Sequence, residues 1–240
     1  MRKSILITCL LLASVTVSAQ TKVASGKAAA PAASGACFVS AGPTGVVLPP
    51  IGCGYITPAQ VHVLLNDPST PASVIMQLWI DHANFLCLST GTPGPCQVHP
   101  GGPLGGEVEV SDTTLTLEIF GTGELEGYRR SVVLKADTIT ATGPRDAKAP
   151  YQDFANEMMH LDAVLEGDED FKLLRITAGT ENGFDSSGRT TIKLRRNNLY
   201  EVTSFFDINY EIEFVGDGKL EGLSAISQGK VTMEAQAGEN

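Results

Sequence analysis

The side chains able to do chemistry are few and scattered. The four histidines, His62, His82, His99 and His160, stand in no HExxH or HxH arrangement, so zinc hydrolysis has no handle here. Asp81-His82 is the one adjacent acid–imidazole pair, beside Trp79, and His99 lies in a Gly/Pro-rich stretch where function often sits. A lone histidine with a satisfied hydrogen bond is the plainer reading of each. A serine nucleophile needs a tight turn of the G-x-S-x-G kind, and Gly222-Leu223-Ser224 lacks the second glycine. Glu118 and Glu213 could serve glycoside hydrolysis if the fold brought them together; otherwise they are the solvent faces of two strands. Asp168, Glu169 and Asp170 cluster in one turn and Asp217 sits in another. Calcium needs six to eight oxygens from a shaped loop, and no twelve-residue EF-hand loop is present, so a solvated acidic turn is expected. No residue is assigned a catalytic or metal-binding role, and no cofactor is implied.

The cysteines are more informative. Cys37, Cys53, Cys87 and Cys96 make an even set beyond the first segment of the chain, which suggests two disulfides in an exported protein. Three connectivities are open. Cys37–Cys53 with Cys87–Cys96 is favoured, because the latter pair brackets the turn-rich LSTGTPGP. The spacings are not the paired short ones of zinc modules.

Export itself is read from residues 1–19. Arg2 and Lys3 precede an apolar run from Ile5 to about Val15, and Val17-Ser18-Ala19 is a small-residue cleavage site, the pattern of a signal peptide. Cys9 lies inside that run. The run is too short for a membrane-spanning helix, and no second long apolar segment follows, so no membrane span is expected in the mature chain. Without Arg2 and Lys3 the chain keeps 15 of its 17 basic residues against 27 acidic ones. That balance argues against nucleic acid as a partner, since phosphate binding needs a basic footprint. Arg129-Arg130 and Lys193, Arg195 and Arg196 are small basic islands, expected to pair with carboxylates. Residues 20–36, QTKVASGKAAAPAASGA, read as a disordered linker with too little apolar bulk to pack.

The elements that must position these residues are strands. SDTTLTLEIFGTGELEG at Ser111–Gly127 returns as FDINYEIEFVGDGKLEG at Phe206–Gly222, at a constant offset of 95 residues. Leu115, Leu117 and Ile119 alternate with Thr116 and Glu118, as Tyr210, Ile212 and Phe214 do with Glu211 and Glu213. Period 2 marks half-buried antiparallel strands, and the glycines after them supply a turn or bulge. Asp112 and Asp207 also match, and are read as turn-capping residues. Further strands are expected at Val61–Asn66, Ser73–Ile80, Phe85–Leu88, Glu107–Val110, Thr113–Phe120, Ser131–Thr142, Leu173–Ala178, Thr190–Arg196, Leu199–Phe206, Asp207–Val215 and Lys230–Glu234. Asn182-Gly183 and Ser187-Gly188 mark a turn, and Asn197-Asn198 forms a hairpin loop. Residues 89–106 form a Gly/Pro loop. In residues 151–166, Phe154, Met158, Leu161 and Leu165 recur at helical spacing, but β neighbours on both sides favour a strand. The fold class is therefore all-β, an antiparallel sandwich or barrel with an internal duplication. It forms one domain over 37–235, with a disulfide-bearing part at 37–100 and a repeated part at 101–235. An outer-membrane barrel is disfavoured, because aromatics are only 6% and form no girdle.

Several islands resemble an uncharacterised group of secreted bacterial proteins: GYITP at Gly54–Pro58, GGPLGGEVE at Gly101–Glu109, TGPRD at Thr142–Asp146, EGDEDF through RITAGT at Glu166–Thr180, and TSFFDINYEIEF at Thr203–Phe214. The resemblance implies export and an all-β fold and carries no functional residue. The resulting expectation is a secreted or cell-surface, non-enzymatic β protein that acts as a structural or binding module toward an unknown ligand or protein. A carboxylate-dependent hydrolase or glycan-active enzyme is the alternative. A third possibility is a small apolar ligand held inside the fold, which a large internal cavity would reveal.

Overall fold

The structure, a computed structural model, describes residues 36–65, 73–87 and 89–237. The expected leader at 1–19 and the expected linker, up to residue 35, lie outside the described residues. Thirteen strands follow in order: β1 (Cys37–Ser40), β2 (Cys53–Ile56), β3 (Val61–Leu65), β4 (Ser73–Cys87), β5 (Thr92–Pro93), β6 (Gln97–Pro100), β7 (Glu107–Gly121), β8 (Arg129–Thr142), β9 (Tyr151–Glu166), β10 (Phe171–Ala178), β11 (Ser186–Leu194), β12 (Leu199–Gly216) and β13 (Ser224–Ala237). Every pairing is antiparallel.

The sheet closes on itself. From β7 the chain meanders through β8 and β9, then through β10 and β11, to β12 and β13. β10 and β11 share one position, because both lie between β9 and β12. β13 pairs with β2, β2 with β4, and β4 with β7 from Met76↔Gly121 to Leu86↔Asp112. β3 extends the β2 position, pairing with β4 and lying beside β13, where Ser227 Oγ donates to the His62 carbonyl at 3.4 Å. Of the two architectures expected, the barrel is the one formed.

Alternation decides which side chains enter it. Leu115, Leu117 and Ile119 of β7 and Tyr210, Ile212 and Phe214 of β12 are buried, while Glu118 is exposed and Glu213 half-buried. The outward face carries Lys135, Asp137, Asp153, Arg189, Glu201 and Asp207, whereas a lipid-facing barrel presents an apolar band. No helix among the described residues is long and apolar enough to cross a membrane.

Several expected breaks are absent because the alternation runs through them. Glu107–Val110 and Thr113–Phe120 are one strand, as are Ser73–Ile80 with Phe85–Cys87, and Leu199–Phe206 with Asp207–Val215. Asp112 and Asp207 therefore lie within strands and cap no turn; Asp207 accepts a hydrogen bond from Thr232 Oγ1 at 2.6 Å. Ser187-Gly188 falls inside β11, where Gly188 permits close approach of the Phe205 carbonyl. The Gly/Pro stretch 89–106 holds β5 and β6. The Asn197-Asn198 turn forms as read, both residues at positive φ (68° and 58°).

Residues 151–166 are a strand, and their helical spacing has a physical origin. The β8–β9 register shifts between Ile139↔His160 and Thr140↔Met158, leaving Met159 as an extra residue. Phe154 and Met158 face inward before this bulge, and Leu161 and Ala163 after it. One inserted residue in a period of 2 converts the 4,4 spacing of alternate inward positions into 4,3,4, which mimics a helix face.

The repeated motif makes the same turn twice. Gly121 N–H donates to Tyr128 O at 2.9 Å and Gly216 N–H to Leu223 O at 2.8 Å; Leu125 donates to Thr122 and Leu220 to Asp217 in the same way. A Cβ on Gly121 or Gly216 would collide with the carbonyl oxygen of Leu125 or Leu220. The two hairpins sit half-way round the ring from one another. The likeness is confined to them: β7 is flanked by β4 and β6, and β12 by β10, β11 and β1. We expect Gly121→Ala and Gly216→Ala each to lower stability by about 1–3 kcal/mol in urea denaturation, because the backbone must shift to admit the methyl. Midpoints equal to the wild type would show that the turn has slack.

Candidate functional site

The ring interior has two halves. Reading down the inward column of β7, Glu109, Ser111 and Thr113 give way to Leu115, Leu117 and Ile119; on β8, Thr142, Thr140 and Thr138 give way to Ala136, Leu134 and Val132. The lower half is filled by apolar side chains, including Phe171, Phe214 and Leu220. The upper half holds a cavity of about 30 Å³, open at its mouth. It is lined by apolar Phe85, Phe206, Ile208, Met158 and Met233, interleaved with polar Tyr55, His82, Glu109, Thr140, Asn156 and Thr190.

A strap covers the mouth. Leu48, Pro49 and Pro50 reach the cavity from the chain between β1 and β2. Cys37 and Cys53 hold the two ends of that segment at disulfide distance, Cα–Cα 5.7 Å. Val46 N–H donates to Ala147 O at 2.9 Å, and the Arg145 guanidinium donates to Val46 O at 2.9 Å, Glu107 Oε2 at 2.7 Å and Gln152 Oε1 at 3.1 Å. Val46 and Leu48 pack with Phe154, Ile192, Tyr200 and Val202. The second pair, Cys87 and Cys96 at Cα–Cα 4.5 Å, ties the end of β4 to the loop before β6.

In the upper half the hydroxyls that line the cavity are satisfied, but Ser111 Oγ and two acceptors are not. Tyr55 Oη donates to Ser204 Oγ at 3.1 Å, and Ser204 shares a hydrogen bond with Thr190 at 2.7 Å. His82 Nε2 meets Thr113 Oγ1 at 2.9 Å, and Thr113 meets Thr138 at 2.9 Å. Thr140 Oγ1 donates to Glu109 Oε2 at 2.9 Å, but Glu109 Oε1 is buried without a partner. Asn156 Nδ2 donates to Phe205 O at 3.4 Å, and Asn156 Oδ1 has none. Leaving a buried polar atom unpaired costs roughly 1–3 kcal/mol; both oxygens are buried away from the free space of the cavity.

Burial sets the charges. It pushes the Glu109 carboxyl up to about 7, with the Thr140 hydrogen bond opposing, Glu107 adding to the rise and Arg145 opposing. It lowers His82 to about 4, so this imidazole is neutral near pH 7, and raises the Tyr55 phenol to about 12.

The residues singled out from sequence fall elsewhere, His82 excepted. Glu118 and Glu213 point outward from strands on opposite sides of the barrel and do not converge. Asp81 and His82, being neighbours on a strand, face opposite sides of the sheet, so the carboxylate does not reach its imidazole. His62 and His99 are exposed and His160 is half-buried; His99 Nε2 meets Gln97 Oε1 at 2.9 Å. Asp168, Glu169 and Asp170 all converge on one guanidinium, Arg130, at 2.8, 2.6 and 2.7 Å. The space a cation would take is filled by that side chain. Of the other basic islands, Arg195 pairs with Glu201, while Lys193 and Arg129 lie over the rings of Tyr151 and Phe120. Glu109 and Asn156 were missed. Continuing the alternation of Leu115 and Leu117 back through Ser111 places Glu109 inward, and Asn156 shares the parity of inward Phe154 and Met158, although the bulge at Met159 gives that segment a helical spacing.

Two outcomes follow from these charges. Glu109 has a higher pKa folded than unfolded, so its contribution is most favourable below about 4.5 and is lost as pH rises to about 7. Glu109→Gln should therefore be more stable than the wild type at pH 8 by up to about 3 kcal/mol, with the gain shrinking toward pH 5, as urea midpoints across pH would show. Asp170 behaves oppositely. Burial pushes its carboxyl up, but the Lys219 amide, Arg130 and Tyr128 together hold it below the usual range, so its contribution is present above about pH 4 and lost below. Arg130→Met should cost about 3 kcal/mol at pH 7 and progressively less below pH 4, where the carboxyls take up protons; a cost independent of pH would mean the cluster is not what Arg130 stabilises.

No protein family, curated protein or solved structure matches this chain.

Proposed function

We propose that this chain is an exported β-barrel that binds a small, mostly apolar molecule in the upper half of its interior, and that it acts as a binding module. The observation that carries this reading is the pocket at the upper end of the barrel, lined by both apolar and polar side chains where the lower interior is filled. Export is supported by the leader-like residues 1–19 and by two cysteine pairs at disulfide distance, which suit an oxidising compartment.

A carboxylate-dependent hydrolase is the second reading, favoured by the raised carboxyl of Glu109 in the cavity. It would need a second carboxylate free to act with the first. Glu107, two residues away on β7, is held by Arg145 through Nε at 3.1 Å and Nη2 at 2.7 Å.

The test is a thermal-shift screen of residues 20–240 with small apolar and amphipathic molecules. A true ligand at a hundred times its Kd should stabilise by about 2.7 kcal/mol. Ile208→Trp, which fills the cavity, should abolish the shift while the far-ultraviolet circular dichroism stays native. Saturable binding that survives this substitution, or no stabilisation by any compound, would overturn the proposal.

A further inference from the structure

The connections at the two ends of the barrel differ in charge. At the lower end, residues 122–128, 167–170 and 217–223 carry two, three and two carboxylates and one cation, Lys219. At the upper end, residues 143–150 and 195–198 carry two cations each and one carboxylate, Asp146, while the strap at 41–52 carries no charged residue. The adjoining strand-end charges, Arg129, Arg130 and Lys172 below and Lys193, Glu107 and Glu201 above, change neither sign. Lys148, Lys193 and Arg196 are exposed and make no ion pair among the described residues. The strap buries Val46 and Leu48 but leaves Val47 and Ile51 exposed, and Tyr151 and Leu194 stand exposed beside it. Leu194 N–H donates to Pro150 O at 2.7 Å and Val46 N–H to Ala147 O at 2.9 Å, so strap, 143–150 loop and Asn197-Asn198 hairpin form one rim.

We infer that this rim docks on an anionic lipid surface, with Lys148, Lys193 and Arg196 among the headgroups and Val47 and Ile51 entering the boundary between headgroups and acyl chains. The inference does not depend on the cavity. Apolar side chains flanked by cations use both properties of such a surface, whereas an acidic polymer would use the cations and leave Val47 and Ile51 in water. Tyr151, with Lys193 over its ring at 5.9 Å, is a side chain of the kind that suits the interface. The strap is held at both ends and at its middle, so presenting Val47 and Ile51 costs little ordering. The acidity of the chain does not oppose this orientation. β7 runs from end to end with 15 residues; at about 3.3 Å per residue and a tilt of about 40° the acidic connections lie about 35 Å from the rim. That is several times the screening length of about 8 Å at physiological salt.

The experiment is co-sedimentation of residues 20–240, which leave out the leader-like apolar run, with vesicles of phosphatidylcholine alone and of phosphatidylcholine mixed with phosphatidylglycerol. Binding is expected to the mixed vesicles and to weaken as salt is added. The triple variant Lys148→Gln, Lys193→Gln, Arg196→Gln should lose about a hundredfold in partition, each cation near an anionic surface being worth about fivefold. The double variant Val47→Ser, Ile51→Ser should lose about tenfold or more through its smaller apolar area. Both keep a native far-ultraviolet circular dichroism spectrum, since all five side chains are exposed. Glu124→Gln with Glu221→Gln, at the far end, should leave the partition unchanged. Binding to neither vesicle, equal binding to both, or retention by the triple variant would overturn the proposal. A loss in the triple variant with none in the double variant would assign the rim to an acidic polymer or protein and overturn the lipid surface as its partner.

Discussion

The β4–β7 pairing, from Met76↔Gly121 to Leu86↔Asp112, turns a sheet with two edges into a ring. Once the sheet is closed, each strand has one inside and one outside face, and side-chain alternation alone assigns every residue to one of them. Carboxylates that alternate with apolar residues in the lower barrel, such as Glu118 and Glu213, go to water. Glu109 shares the parity of Leu115 and Leu117 and is carried inside with them. The buried carboxyl is thus a consequence of the same rule that buries the core.

What makes the interior more than a core is its division along the barrel axis. The lower half is filled by Phe171, Phe214, Leu220 and the aliphatic residues around them. In the upper half threonines and serines replace leucines and isoleucines on β7, β8, β11 and β12. Smaller side chains leave room, and hydroxyls bond one another in short chains instead of filling space. Two of the titratable groups buried there, His82 and Glu109, have opposite tendencies. Burial holds His82 neutral by lowering its pKa and favours neutral Glu109 by raising its own. Between about pH 4.5 and 6.5 their contributions to the pH dependence of stability have opposite signs and largely offset. Above that window only Glu109 still changes, which leaves the cavity's own charge as the variable near neutral pH.

The mouth is shaped by a segment that belongs to no long strand. The strap from Cys37 to Cys53 is held at its ends by the cysteine pair and at its middle by Arg145 and Ala147, so Leu48-Pro49-Pro50 is presented to the cavity as a fixed wall. Arg145 links strap, β7 and β9 at once, through Val46, Glu107 and Gln152. Its side chain is only 4% exposed, so these bonds form away from the screening of bulk water.

Much of the fold was legible. Period 2 along Thr113–Phe120 and Asp207–Val215, the glycines after them and the Asn197-Asn198 turn identified antiparallel hairpins, because these signals are local in sequence and in space. Strand breaks were over-read at Ser111-Asp112, Phe206-Asp207 and Ser187-Gly188, where polar or small residues sit within a strand and the neighbouring strands hold it straight. The helical spacing in residues 151–166 was ambiguous for a different reason: the bulge at Met159 exists only against β8. The sequence by itself determined the strands, their faces and the four cysteines, since side-chain alternation is a property of the extended chain. Only the tertiary structure decided that the sheet closes, that Arg130 gathers Asp168, Glu169 and Asp170, and that Glu109, Asn156, His82 and Tyr55 share one cavity, because those neighbours lie on strands far apart in the chain and meet only through long-range pairing.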